Sequence, residues 1–194
     1  KEDHFEEALE YLRTRNPFLG ITGRICTHPC ESECNRRLYD EPINIRGLER
    51  AVVEFADMTK VRRPRKMKRS GKTIAVIGGG PAGLSFAYFS SLFGHEVTVL
   101  EAGPILGGMP RLSVPEYRLP KSSVDMEIGL ILEMGVKART NTRVGKNITL
   151  TELQNSFDAV LISTGAWKER RPLVPGGDYA ISGVEFLRRA NLGQ

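Results

Sequence analysis

Two groups of residues carry chemistry by their type and spacing. The first is Cys26, Cys30 and Cys34, in the pattern C-x-x-x-C-x-x-x-C. One cysteine alone behaves as a small buried hydrophobe. Three within nine positions, in a segment poor in apolar residues, point to metal. Thiolates hold iron–sulfur clusters, commonly four to a cubane. Zinc also takes thiolates, but it prefers a C-x-x-C knuckle and would need a fourth ligand such as His28. An odd cysteine count argues against a disulfide framework. Spacing leaves iron–sulfur, zinc and ordinary thiols open. The second group is Gly78, Gly80 and Gly83, a G-x-G-x-x-G run, with Glu101 further along. Such glycines let a chain turn sharply out of a strand, approach a pyrophosphate closely and pack a helix against a sheet. A carboxylate at the position of Glu101 accepts hydrogen bonds from both hydroxyls of a ribose.

The elements needed to position these groups are legible around them. The apolar run Ile74 to Ile77 reads as a buried parallel strand, and Pro81 to Phe93 reads as a helix that Gly94 ends. Val97 to Leu100 is a second strand closing on Glu101, so Thr73 to Glu101 is a β-α-β unit. Pro81 and Ala82 stand in the first turn of its helix, where unpaired N–H groups and the helix dipole attract phosphate. Glu101 repels a 2′-phosphate on the ribose it meets, which leaves FAD or NAD.

Further along, Val124, Ile128, Ile131 and Leu132 share one face of a helix over residues 121–134, capped by Gly135. Val136 to Ala138 is a short strand. Thr151, with Gln154 three residues on, has the pattern of a capping box. Asp158 to Ser163 is an apolar strand ending in Thr164-Gly165-Ala166. Pro172, Pro175, Gly176 and Gly177 form a connection to a last apolar stretch, Val184 to Leu192.

Before the glycine motif, Phe5, Ala8, Leu9 and Leu12 mark a helix over residues 3–15 that Asn16-Pro17 ends. Ile45, Leu48, Val52, Phe55 and Ala56 mark another, from Ile45 to Met58. Between them, Thr22 to Tyr39 has little periodicity and reads as a loop. So small a helical unit needs a staple, and the cysteines are the candidates. The division expected is a helical domain over residues 1–60, a linker over 61–72 and a Rossmann-like domain over 73–194, an α/β fold overall.

Composition narrows the function. The chain has 194 residues and a net charge of +5. Lys60 to Lys72 alone carries eight positive charges and no acid. With no aromatic residue interleaved, it reads as a solvated linker or docking strip rather than a nucleic-acid site. No run approaches the roughly 18–20 apolar residues of a membrane span. The acidic amphipathic start is no secretory signal, which makes the expected location cytoplasmic. No nucleophile, proton donor or carboxylate pair stands out, so no catalytic residue is assigned and the chemistry falls to cofactors.

The extended motif, through Ala87, Gly94, Val97 and Glu101, resembles the FAD-binding motif of two-dinucleotide-domain flavoproteins. A wider resemblance runs through Asn16-Pro17-Phe18, Thr22 to Cys34, Asp40 to Arg46 and Leu48-Glu49-Arg50. It continues through Gly107-Gly108-Met109, Pro115 to Lys121, Val144-Gly145-Lys146, Thr164-Gly165-Ala166 and Gly183 to Leu187. On these residues the chain resembles the glutamate synthase small-subunit family. It is also similar to the start of dihydropyrimidine dehydrogenase and to the large subunit of electron-bifurcating ferredoxin:NADP oxidoreductases. The resemblance implies FAD on Gly78, Gly80, Pro81, Ala82, Gly83, Glu101 and Ala102. It extends the flavin site to Gly108, Met109 and Arg111 near the phosphates, to backbone groups of Val144 at the adenine, and to Thr164 and Gly165 at the pyrophosphate. Tyr117 and Leu119 would line the flavin ring. It also implies two 4Fe-4S clusters, Cys26 and Cys30 serving one and Cys34 the other, with the family's remaining cysteines upstream of this sequence. Glu49 falls near a position where some relatives use a non-cysteine ligand; its other reading is a surface carboxylate. NAD(P)H would bind a segment or partner outside this chain, and the partners expected are other electron-transfer subunits in a hetero-oligomer. Two alternatives are an NAD-binding dehydrogenase module with a zinc-stapled amino-terminal domain, and a cofactor-less assembly subunit.

Overall fold

A computed structural model describes residues 4–169 and 174–194. The chain divides into two units, Lys1–Lys66 and Met67–Gln194, the division falling inside the basic stretch. Pro172 of the expected connection lies outside the described residues.

The first unit is helical: α1 (Phe5–Arg13), α2 (Leu19–Ile25), α3 (Pro29–Ser32) and α4 (Ile45–Phe55), with a 3-10 turn at Asn35–Leu38. Leu9 on α1, Phe18 just before α2, Leu19 and Ile21 on α2, and Val53 on α4 are buried. Helices α2 and α4 pack so closely that a Cβ on Gly23 would stand 2.9 Å from the main-chain nitrogen of Arg50. Phe5 and Phe55 meet with ring centroids 5.4 Å apart. Asn44 caps α4 by accepting the N–H of Gly47. The sequence reading of Thr22 to Tyr39 as a loop is therefore corrected. Helix α2 forms because three neighbouring apolar side chains bury against α4, although Gly20 and Gly23 blur its periodicity; tertiary packing overrides weak propensity.

The second unit holds β1 (Thr73–Ile77), α5 (Pro81–Leu92), β2 (Glu96–Leu100), α6 (Gly108–Leu112), α7 (Lys121–Glu133), β3 (Lys137–Arg139), α8 (Leu150–Ser156), β4 (Ala159–Ile162) and α9 (Gly183–Asn191). The strands pair in the order β3-β2-β1-β4, all parallel. Central β1 aligns Ile74 with Val97 of β2 and with Ala159 of β4. Ile74 to Ile77 are buried, as a parallel strand covered on both faces requires. Ala75 and Ile77 face a cluster with Leu100 and Leu153, edged by Val144, Ile148, Phe157 and Val160. Val76 alternates to the other face, where it meets α5 at Gly83. Each such aliphatic side chain, fully buried, contributes about 1.5–3 kcal/mol.

Two local expectations change here. The capping box of α8 starts at Thr149, not Thr151: the Thr149 hydroxyl accepts the Glu152 N–H, and the Glu152 carboxylate accepts the Thr149 N–H at 2.7 Å. Thr149 wins because it alone has an acidic residue three positions on. Gly108 to Leu112, where the sequence predicts no element, is the short helix α6, entered through Gly107 at φ 114°.

Candidate functional site

Parallel strands of an open sheet deliver their ligand-binding residues at their carboxyl ends, and the glycine run lies just past the end of β1. Its glycines have different reasons. Gly78 has φ 107°, and a Cβ there would run into the carbonyl of Ser163. A Cβ on Gly83 would run into the carbonyl of Gly78 and stand 2.7 Å from the Ser163 hydroxyl. That hydroxyl donates to the carbonyls of Ile77 at 3.0 Å and Gly78 at 3.3 Å, tying β4 to the start of the loop. Gly80 is the exception. A Cβ there would meet only the Cα of Gly108, at 3.9 Å. Gly80 is moreover at φ −83°, where any residue is comfortable. Nothing in the protein demands glycine at position 80, so the space above it fits a group that approaches the main chain.

That space opens on the first turn of α5, which has Gly80 as its N-cap, Pro81 at its start, and no side-chain cap. Ala82 in the same turn is exposed. Gly108 faces Gly80 at φ 56°, and a Cβ on it would stand 2.8 Å from the Cα of Gly80. Met109 follows in α6, its sulfur accepting the Ser113 hydroxyl at 3.1 Å. On the far side, Thr164 and Gly165 are exposed after β4, with Gly165 at φ 76° and the Thr164 carbonyl accepting the Trp167 indole N–H at 2.9 Å. The glycine loop, the α5 N-terminus and the 107–109 segment thus form one groove, with uncapped N–H groups suited to pyrophosphate.

Glu101 ends β2 beside the groove. Its carboxylate accepts the N–H of Gly79 at 2.8 Å and that of Gly103 at 2.7 Å. Ala102 next to it is exposed. Val144 lies half-buried in a bridge with Ile148. Leu119 is fully buried, whereas Tyr117 is 90% exposed. Arg111 is committed away from a free role: it pairs with Asp125 at 2.9 Å and donates to the Lys121 carbonyl at 3.2 Å. Lys121 donates from Nζ to the Val114 carbonyl at 2.5 Å, and burial holds its pKa below the ordinary lysine value. Sequence reasoning missed Gly79, whose absent side chain leaves room for Leu106 and the Glu101 carboxylate. The triple glycine at 78–80 was the available signal.

In the helical unit, Cys26 ends α2, Cys30 sits on exposed α3 and Cys34 precedes the 3-10 turn. Cys26 Sγ accepts the His28 N–H at 3.3 Å. Arg46 donates to the Cys26 carbonyl at 3.3 Å, while its own main-chain N–H donates to Glu31 at 2.9 Å. Main-chain N–H groups of Ile43 and then Arg36, aided by the Arg36 charge, hold the Cys34 thiol below the ordinary thiol range. That favours the thiolate a metal needs. All three thiols are free, yet among the described residues no three His, Cys, Asp or Glu side chains converge to hold a metal ion. Each cysteine fits a thiolate ligand, and the set within this chain does not complete a cubane. His28, at φ 46°, pairs instead with Glu31 at 3.3 Å. Glu49 is half-buried on α4 near the Thr22 hydroxyl, at 3.4 Å. Burial raises its pKa, and the Thr22 hydrogen bond opposes the shift.

A parallel sheet with a glycine-lined groove at its carboxyl ends defines a dinucleotide-binding protein. The chain belongs to the pyridine nucleotide-disulphide oxidoreductase family, whose model matches residues 39–156 and 73–193. Residues 1–61 match a second model, dihydropyrimidine dehydrogenase domain II, 4Fe-4S cluster. The chain is 40% identical to the beta subunit of NADP(+)-dependent formate dehydrogenase from Moorella thermoacetica, over 99% of this chain and 31% of that protein. It is 39% identical to the small chain of glutamate synthase (NADPH) from Bacillus subtilis, over 90% of this chain and 36% of that one. Among solved structures it is similar to Mycobacterium tuberculosis FprA in complex with NADPH, with a TM-score of 0.55 and 27% identity over 62% of this chain and 29% of that one. The chain thus spans about a third of the length of these relatives. The resemblance to the glutamate synthase small-subunit family and the α/β class both stand on these matches. Among the described residues no helix is long and apolar enough to cross a membrane.

Proposed function

We propose that this chain is the FAD- and cluster-bearing part of an NAD(P)H oxidoreductase that passes electrons between flavin and 4Fe-4S clusters. The observation that carries the reading is Gly80: its neighbours in the groove are glycine for packing or for positive φ, and it is glycine for neither. FAD held there would supply hydride chemistry, and clusters held on the cysteines would supply single-electron transfer. The chain's own residues bind and orient. N–H groups of the first turn of α5, beyond Pro81, would hold the pyrophosphate, with Gly80 leaving room for it and Gly78 and Gly83 setting the turn. Glu101, with Ala102 beside it, takes the ribose hydroxyls. Gly108 and Met109 close one side of the groove, Thr164 and Gly165 the other, and Val144 offers main-chain groups to the adenine. Arg111 acts through its pair with Asp125, holding α6 against α7 rather than reaching for phosphate. Cys26, Cys30 and Cys34 supply thiolates to clusters whose other ligands lie in polypeptide beyond these residues. NAD(P)H binds a segment or partner outside this chain, electrons leave through other subunits of a hetero-oligomer, and the compartment is the cytoplasm, where free thiols persist.

The test is an absorption spectrum of anaerobically purified protein, with iron, sulfide and zinc assayed on the same sample. Flavin bands with iron and sulfide are expected. Zinc without flavin would overturn the reading in favour of an NAD-binding module with a zinc-stapled domain. A folded, colourless, metal-free protein would make it an assembly subunit.

A further inference from the structure

Glu101 serves the proposed function as a ribose acceptor, yet its carboxylate already has partners. Oε2 accepts the N–H of Gly79 at 2.8 Å and Oε1 that of Gly103 at 2.7 Å. The carbonyl of Gly79 accepts the Gly107 N–H at 2.8 Å, so both polar groups of Gly79 are held. The main chain around the carboxylate is fixed in turn. Glu101 N–H donates to Arg139 at 2.9 Å, its carbonyl accepts Thr142 N–H at 2.8 Å, and Asn141 N–H donates to the Gly103 carbonyl at 2.8 Å. The turns that follow β1 and β2 therefore meet at the Glu101 side chain, and the turn after β3 holds the main chain of Glu101 and Gly103.

We propose that Glu101 is a positioning residue for the glycine loop, closing it before any dinucleotide arrives. An ionised carboxylate offers about four acceptor sites. Two are spent on the backbone, and two remain for a ribose diol. The loop is then preformed, and its ordering cost is not charged against binding. This rests on the dinucleotide reading above, but the clip is a property of the ligand-free chain.

The experiment compares the full chain with Glu101→Gln and Glu101→Asp. Amide hydrogen exchange at Gly79 and Gly103 is measured without ligand, with Val76 and Leu84 as reference amides. FAD association and dissociation rates follow by stopped-flow flavin fluorescence. Hydrogen bonds to a charged acceptor are strong enough that losing one speeds exchange about tenfold or more. We expect that acceleration at one or both of Gly79 and Gly103 in each variant, and at Gly79 in Glu101→Asp because a shorter carboxylate still reaches the Gly103 N–H two residues on, with Val76 and Leu84 still protected and FAD association slowed. A pure ribose contact would instead change dissociation alone and leave exchange unmoved. Unchanged exchange at both glycines in a folded variant overturns the clip. If Glu101→Gln unfolds, Glu101→Asp decides, because it keeps the charge and is too short to span both amides. If exchange accelerates but the parent chain binds no FAD, the clip stands and the dinucleotide reading falls.

Discussion

Replacing Gly80 with alanine is expected to abolish FAD binding while leaving the fold intact, and replacing Gly83 with alanine is expected to do damage of another kind. At Gly80 the new methyl meets only the Gly108 Cα, at 3.9 Å, and the backbone is at φ −83°. Alanine is a poorer N-cap than glycine, a loss of up to about 1 kcal/mol. Fewer unfolded conformers return about 0.4–1 kcal/mol. The two nearly cancel, so the unfolding midpoint of ligand-free protein moves little. In the groove the same methyl holds a pyrophosphate away from the N–H groups. Losing two charge-assisted hydrogen bonds at about 1.5–3 kcal/mol each weakens FAD binding at least ~100-fold. At Gly83 the methyl collides with the Gly78 carbonyl, and it stands 2.7 Å from the Ser163 hydroxyl and 3.0 Å from Val76 Cγ1. Two of these three neighbours are held by the sheet, so the cost is the upper part of the ~1–3 kcal/mol range for overpacking, or roughly 10 °C in midpoint. Thermal unfolding of ligand-free protein and a fluorescence titration with FAD separate the two. A Gly80→Ala variant that binds FAD like its parent, or that is as unstable as Gly83→Ala, would refute the reasoning.

Two pH effects follow from named groups. Asp158 accepts from Lys72 Nζ at 2.8 Å and from the Thr73 N–H at 2.8 Å, contacts that bring its pKa down to about 2 from 3.8. A depressed carboxylate stabilises the fold above its unfolded value and loses that contribution as pH falls. The midpoint is therefore expected to drop between pH 4 and pH 2 more steeply in the parent than in Asp158→Asn; parallel curves would sink the assignment. Glu49 has the opposite sign, since burial raises its pKa. Ionisation then opposes folding once pH exceeds the ordinary value. Glu49→Gln is expected to raise the midpoint of metal-free protein at pH 7 and to lose its advantage below pH 4, and a lower midpoint at pH 7 would contradict this.

What the sequence by itself determined was local and periodic. The glycine spacing, the apolar run before it and the acid at Glu101 belong to one short β-α-β unit, whose strands and helix are dictated by hydrophobic pattern and by glycine's lack of a Cβ. Helices α1, α4 and α7 showed through the periodicity of their buried faces. The three cysteines announced metal chemistry by type and crowding. Only the tertiary structure decided the rest, because it depends on atoms distant in the chain. The sequence treats the three glycines of the motif alike, and the fold separates them: Gly78 and Gly83 are closed off by Ser163, while Gly80 is left open. Helix α2 exists because α4 lies against Gly23. Arg111 reads as a phosphate ligand until Asp125 is seen beside it, and Glu101 reads as a ribose acceptor until Gly79 and Gly103 are seen on its two oxygens. Hydrophobic pattern records which face a residue turns inward; hydrogen-bond partners are set by how the elements then pack.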